Sequence, residues 1–187
     1  MKQLILLMHV SLDGFVAGPN GEMDFITFNE AQFDFVGTLT DNANTVLYGR
    51  KTWEMMEPYW PTADQKPNAT NHTKKHAAWY RQSLKLVVSN TLQKGGENTR
   101  IISGDIVKIM NEEKQQGSSD ILMIGSPSTA HTFTNAGLID QFWLFLNPVI
   151  LGAGIPLFKD VTARQQLKLV ETKPFDTGVV GLHYEKA

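Results

Sequence analysis

The apolar positions of this chain fall into short unbroken runs set between longer stretches of helical periodicity. Residues 4–10, 45–48, 84–88 and 121–124 are rich in Val, Ile and Leu, and Gly, Asn or Ser bounds each run. Runs of this kind, without polar alternation, are expected of strands buried on both faces. Residues 30–39, 50–57, roughly 71–82, 105–115 and 127–136 carry helical spacing instead. The alternation predicts an α/β sheet with crossover helices. The last third changes character: residues 138–151, 166–174 and 179–185 are strand-like, and Asp176, Thr177 and Gly178 supply a tight turn between the final two. A mainly parallel sheet closed at one edge by an antiparallel hairpin is therefore expected. Residues 58–70, a polar stretch with three prolines, read either as a surface loop or as a flap over a cleft.

The 187 residues, 42% hydrophobic and 19% charged, suit one domain spanning residues 1–187, large enough to bury a core beside a cleft. A net charge of −2 offers no broad basic field for a polyanion, which argues against nucleic acid as a partner. The absence of cysteine removes disulfides, thiolate metal sites and thiol nucleophiles. The apolar run near the amino terminus is far shorter than the roughly 20 residues of a membrane span, and no cleavage site follows it. A soluble, cytoplasmic protein with no membrane partner is the expectation.

Three strand ends could carry chemistry. In the first, Val46 to Glu54 run from a strand through Gly49 into the first turn of a helix. Free N–H groups there, the helix dipole and the Thr52 hydroxyl make an anion site, and Arg50 and Lys51 add the cations a ribose phosphate requires. A strand-end glycine with two solvated cations explains the same spacing. In the second, Ile121 to Thr129, Gly125 and Ser126 lead into a helix with Ser126 as N-cap, Pro127 as first helical residue and Gly137 as stop. Close approach to a pyrophosphate or a well-capped structural helix both fit. In the third, Val10 to Gly18, the first strand ends in Asp13 between glycines, at the carboxyl edge where ligands of open α/β sheets sit. Asp13 could hydrogen-bond a polar substrate or relay a proton, or it could cap the strand. His72 and His76 lie four apart on a helix, but no third metal ligand is evident, so a surface helix face is expected and no metal. His9, His131 and His183 are isolated, and Trp53, Trp60, Trp79 and Trp143 read as packing residues, with Trp60 a possible cleft wall.

In this order the segments resemble the dihydrofolate reductase superfamily, and more closely its branch containing the reductase domain of bacterial riboflavin biosynthesis, the RibD C-terminal domain. The resemblance runs through S-L-D-G-F-V-A at residues 11–17, V-L-Y-G-R-K-T-W-E at 46–54, K-L-V-V-S-N-T-L at 85–92, I-G-S-P-S-T at 124–129 and A-G-L-I-D-Q-F-W-L-F-L-N-P-V-I-L-G-A-G-I-P-L-F at 136–158. It implies a three-layer αβα fold whose sheet of about eight mostly parallel strands binds NADPH along its carboxyl edge. Gly49, Arg50, Lys51 and Thr52 would hold the cofactor phosphates, with Ser89 and Asn90 beside the adenosine. Gly125, Ser126, Ser128 and Thr129 would contact the pyrophosphate, Val10 and Ala17 would flank the nicotinamide, and Asp13 would meet the substrate. The chain departs from the pattern in two places. Ser126 and Pro127 stand where many relatives have further glycines, and Asp24, Glu30 and Asp34 compete for the place of the acid that protonates the pterin in dihydrofolate reductases.

The resemblance implies an NADPH-dependent oxidoreductase, similar to 5-amino-6-(5-phosphoribosylamino)uracil reductase, that moves hydride to a C=O or C=N carbon of a small pterin-like or pyrimidine-like substrate. A noncatalytic nucleotide-binding or regulatory module with the same fold is the alternative. An ordinary doubly wound dehydrogenase would place G-x-G-x-x-G after the first strand, where Ser11 to Gly14 stand instead. Residues 142–151, apolar on both faces and interrupted by Pro148, suggest an edge through which a homodimer pairs.

Overall fold

All eight residues of β1 (Leu4–Ser11) are buried, so this strand lies inside a sheet with both faces covered. The computed structural model describes residues 1–187. After β1 come β2 (Phe15–Ala17), α1 (Glu30–Thr40), β3 (Ala43–Gly49), α2 (Arg50–Met56), α3 (Asn71–Gln82), β4 (Leu84–Val88) and β5 (Thr99–Ile102). The chain continues through α4 (Ile106–Lys114), β6 (Asp120–Ile124), α5 (Pro127–Asn135), β7 (Gln141–Asn147), β8 (Ile155–Pro156), β9 (Leu167–Pro174) and β10 (Val180–Lys186). Eight strands form one sheet in the order β5-β4-β3-β6-β1-β7-β10-β9, and β2 pairs with β8 in a small antiparallel ribbon. From β5 to β7 all neighbours are parallel, whereas β10 runs antiparallel to both β7 and β9. The expected α/β architecture, with its closing antiparallel hairpin, is the one observed.

Period-two alternation divides the strand residues between two cores. Leu4, Leu6, Met8 and Val10 join Met110 of α4 and Ala130 and Phe133 of α5 on one face. Ile5 and Leu7 join Trp143 and Phe145 on the other, under Phe35, Val36 and Leu39 of α1. Val46, Tyr48 and Val87 with Trp53 and Tyr80 put α2 and α3 on that same second face. The chain thus steps from β1 outward to β5 over one face and returns to β6 and β7 over the other. β6 is inserted between β3 and β1, so the connections leave in opposite directions on both sides of it. Crevices open at the carboxyl edge at such switch points.

Local chemistry sets the helix ends. Asn29 and Gln32 form a reciprocal capping box at the start of α1. Gly137, at φ +64°, stops α5: its N–H and that of Leu138 reach back to Thr134 and Phe133 carbonyls, the paired bonds of a Schellman motif. The stretch 58–70 is not a free flap. It contains a 3-10 helix at Trp60–Gln65, held to the last turn of α3 by Arg81, which donates to both oxygens of Asp64 and to the Pro61 carbonyl. The strand expected over 138–151 is shorter at both ends. Leu138 and Ile139 are buried before β7 begins, and Pro148 ends it because proline has no N–H to give the ladder. β7 is moreover internal, paired with β1 and β10, so it cannot serve as the pairing edge expected of it.

Candidate functional site

The β3–α2 and β6–α5 turns lie side by side at the carboxyl edge and are locked together. Gly49 N–H donates to Ser126 Oγ at 2.5 Å, and the Ser126 hydroxyl donates to Thr52 Oγ1 at 2.9 Å. A Cβ on Gly49 would stand 2.9 Å from Ser126 Oγ and 3.1 Å from Thr129 Oγ1, so only glycine allows this approach. Gly125 and Ser126 both adopt left-handed backbone, at φ +68° and +66°, and for serine that conformation carries a strain of roughly 1 kcal/mol. Ser126 occupies the N-cap position of α5, but its side chain makes no capping bond; the hydroxyl bridges to the neighbouring turn instead. α2 also begins without a side-chain cap. Two helix starts without side-chain caps therefore stand side by side at the carboxyl edge, an arrangement that suits anionic oxygens.

The residues around these turns divide by exposure. Thr52, Ser126 and Thr129 are buried, while Arg50, Lys51 and Ser128 reach solvent. Arg50 pairs with Glu54 at 2.8 Å on the helix surface, a contact weak enough to exchange for a ligand phosphate. Ser89, after β4, accepts from Thr91 and Leu92 N–H, closing a turn that presents Asn90 outward. Gly49, Ser89 and Gly125 follow three strands adjacent in the sheet, so the first and second candidate strand ends and Ser89 share one edge. Pro127 lacks an N–H and Gly49 N–H is already used, so the donors available to a pyrophosphate are those of residues 50–52 and 128–129. That set fits a nucleotide phosphate group, with fewer donors than a glycine-rich turn offers.

The third strand end is arranged differently. Val10 and Ala17 are buried. Asp13 is exposed, yet both carboxylate oxygens are engaged: Ser11 Oγ donates at 2.7 Å, Leu151 N–H at 3.1 Å and Gly152 N–H at 2.7 Å. These bonds, the Ser11 hydroxyl foremost, hold its pKa below the usual carboxylate value. Asp13 thus pins the turn after β1 to the loop after β7, an ionised group better suited to positioning than to proton donation. Beside it Gly154 passes so close to the Ala17 carbonyl that a Cβ would lie 2.2 Å away, which is why β2 and β8 can pair.

Sequence reasoning missed His9 and Asn147. His9 is buried at the end of β1, stacked on Phe145 and edge-on to Phe28, and burial holds its pKa down to about 4. Asn147, wholly buried, donates to the Val10 and Phe145 carbonyls and accepts from Thr27 N–H. An asparagine that ends an apolar strand was the available signal. None of the three competing acids is among the groups that touch His9, which are Phe28, Phe145 and Asn147. Asp34 pairs with His72 at 2.9 Å, while Asp24 and Glu30 are exposed; Gln32, wholly buried in α1, is bonded to Asn29, Thr27 and Thr177.

Two hollows lie away from these turns. A groove of about 770 Å³ runs between α1 and α3 past Asp34, His72 and Trp79, and one of about 380 Å³ lies between β5 and α4 near Arg100 and Glu113. No three His, Asp or Glu side chains converge as metal ligands, and no helix is long and apolar enough to cross a membrane.

The comparisons with known proteins agree with this geometry. The protein "Uncharacterized protein YyaP" of Bacillus subtilis (strain 168) is 36% identical over 184 residues, 98% of this chain and 94% of its own. A putative riboflavin biosynthesis protein from Shewanella sp. PV-4 superposes with a TM-score of 0.76 at 20% identity, covering 99% of both chains. Dihydrofolate reductase from Enterococcus faecalis, solved with NADP(H), gives 0.65 at 13% identity over 98% of this chain and 96% of its own. At those identities the two structures attest the fold, a dihydrofolate reductase-like αβα sandwich. The family follows from the sequence model for the RibD C-terminal domain, which matches residues 2–181 and so takes in all three strand ends described above: the chain belongs to the RibD C-terminal domain family.

Proposed function

We propose that this protein is an NADPH-dependent reductase that transfers hydride to a C=O or C=N carbon of a small pterin-like or pyrimidine-like ring. The observation that carries the reading is the pair of interlocked turns, whose uncapped helix starts lie side by side at the switch point beside β6. The N–H groups of residues 50–52, with Thr52 and the Arg50 and Lys51 side chains, would hold the phosphates. Gly125, Ser126, Ser128 and Thr129 would border the pyrophosphate, Ser89 and Asn90 the adenosine, and Val10 and Ala17 the nicotinamide. When bound, the cofactor supplies the hydride. The protein's contribution is orientation and exclusion of water: Asp13 fixes the loop over the reacting edge, and the β2–β8 ribbon walls it.

Titration with NADPH and NADH, followed by nicotinamide fluorescence, tests the cofactor site. Replacing Arg50 and Lys51 together with Ala should weaken NADPH by about tenfold or more, at least 1.4 kcal/mol, and leave NADH nearly unchanged. Equal losses for both nucleotides would contradict the assignment of these cations to the ribose phosphate. One feature favours the second reading, a nucleotide-binding module without turnover: both oxygens of Asp13 are taken by Ser11, Leu151 and Gly152, and Asp34 of α1 is paired with His72. NADPH binding without oxidation against pterins, quinones and carbonyls would decide for it.

The chain is further proposed to act as one domain in the cytoplasm and as a homodimer. Because β7 is internal, the pairing surface would be a sheet face. Partly buried Leu144, Leu146, Leu182 and Tyr184 share one face with Leu169, which is 49% exposed. A monomer by sedimentation velocity at micromolar concentration would remove the dimer.

A further inference from the structure

His9, Phe28 and Asn147 make a platform that the cofactor reading leaves unused. The His9 ring lies 4.9 Å from Phe145 and 4.6 Å from Phe28 between centroids, and Phe28 stacks on Phe33 at 4.9 Å. Phe28 is 46% exposed, so part of its ring is open to a ligand. Leu12 and Ile150 are also exposed on the turns that follow β1 and β7. The Asn147 amide can sit in one orientation only, because its nitrogen faces two carbonyl oxygens and its oxygen faces an N–H. That nitrogen also lies 3.4 Å from His9 Nδ1. Both hydrogens of that nitrogen are given to the carbonyls and an amide nitrogen cannot accept, so Nδ1 carries no proton toward it and the proton of the neutral imidazole sits on Nε2. Nε2–H has no partner in the protein and is left as a donor for a ligand.

The charge around this platform is one-sided. Between Lys2 and Arg50 the chain has no cation but six carboxylates, Asp13, Glu22, Asp24, Glu30, Asp34 and Asp41. Residues 141–158 carry no charge at all. The groups that touch His9, namely Phe28, Phe145 and Asn147, come from these two segments. A phosphate dianion placed against these groups would lose hydration without gaining a counter-ion from either segment, and Asp13, on the turn that follows β1, would repel it.

We propose that the substrate of this site is an unphosphorylated planar ring that stacks on Phe28 and offers a carbonyl oxygen or ring nitrogen to His9 Nε2–H. This rests on the reductase reading and narrows it, since it sets the chain apart from a reductase acting on a phosphoribosyl pyrimidine. His9 is a positioning donor that polarises the acceptor, because a buried neutral imidazole does not give up a full proton at neutral pH.

Matched ring pairs differing only in phosphate test the proposal: 5-amino-6-ribitylaminouracil against its 5′-phosphate, and riboflavin against FMN. Each is titrated calorimetrically into the full chain, with and without saturating NADP⁺, whose own affinity is measured separately. The unphosphorylated member of a pair should bind at least about tenfold tighter. Phe28→Ala should cost about tenfold of that affinity and leave NADP⁺ binding unchanged, and Ile150→Lys should narrow the gap between the two members. Equal or tighter binding of the phosphorylated member, binding of neither, or an inert Phe28→Ala overturns the proposal. Loss of NADP⁺ binding with ring selectivity intact would instead overturn the cofactor reading and leave this one standing.

Discussion

Asp13 and His9 stand four residues apart and answer pH in different windows. The Asp13 carboxylate is held ionised by Ser11 and by the Leu151 and Gly152 N–H groups. Its folded pKa lies below the unfolded value, so its contribution is complete above that value, near 3.8, and is lost as pH falls further. Asp13→Asn should accelerate amide exchange at Leu151 and Gly152 at neutral pH and abolish the acid response there; unchanged protection would show that the loop holds itself. His9 and His76 respond at higher pH. Burial lowers both from 6.5 to about 4, so the unfolded chain binds protons that the folded one refuses. Stability should fall as pH drops from 6.5 toward 4 and then level, by about 3 kcal/mol for each histidine. Urea midpoints at pH 7 and pH 4.5 measure this, and a His9→Gln, His76→Phe double variant with the full wild-type difference would refute it. Asp13 could be singled out in the sequence, but not its role. Its partners lie 138 and 139 positions away, and backbone donors leave no mark in side-chain identity.

Among the elements, burial on both faces decided what could be read. β1, β3, β4 and β6 lie inside the sheet and appear as continuous apolar runs. β5, Thr99–Ile102, was not anticipated because an edge strand of four residues with two polar members shows neither a run nor a clear alternation. β2 and β8 are set by the passage of Gly154 over Ala17, a tertiary fact. The five helices were legible from periodicity, and so was the stop at Gly137. The start of α1 was legible but unread: Asn29 and Gln32 have the three-residue spacing of a capping box. Gln32 has more to do than capping, since its Oε1 also accepts from Thr177 in the β9–β10 turn. Gln32→Ala should therefore lose roughly 2 kcal/mol, more than the 1 kcal/mol typical of a cap. The same loss in a Thr177→Val background would show that the contact to the turn contributes nothing.

Across the whole molecule the sheet is guarded at both margins. β5 is short, and β9 carries a bulge at Val170, where pairing with β10 skips a residue, flanked by Lys168, Lys173 and Pro174. Bulges, lysines and proline hinder edge-to-edge association. The insertion of β6 has a consequence for synthesis on the ribosome. β1 has two neighbours, β6 and β7, and both come from residues beyond 119. Until those residues emerge, the eight buried residues of β1, six of them apolar, have no strand to pair with, although β3, β4 and β5 can already assemble. A released fragment of residues 1–118 should be insoluble or bind a chaperone, and a soluble fragment with cooperative melting would contradict this. The nascent chain therefore carries its own centre unpaired for more than half of its translation. Its yield in a cell should depend on how quickly residues 120–147 follow, rather than on the stability of the finished fold.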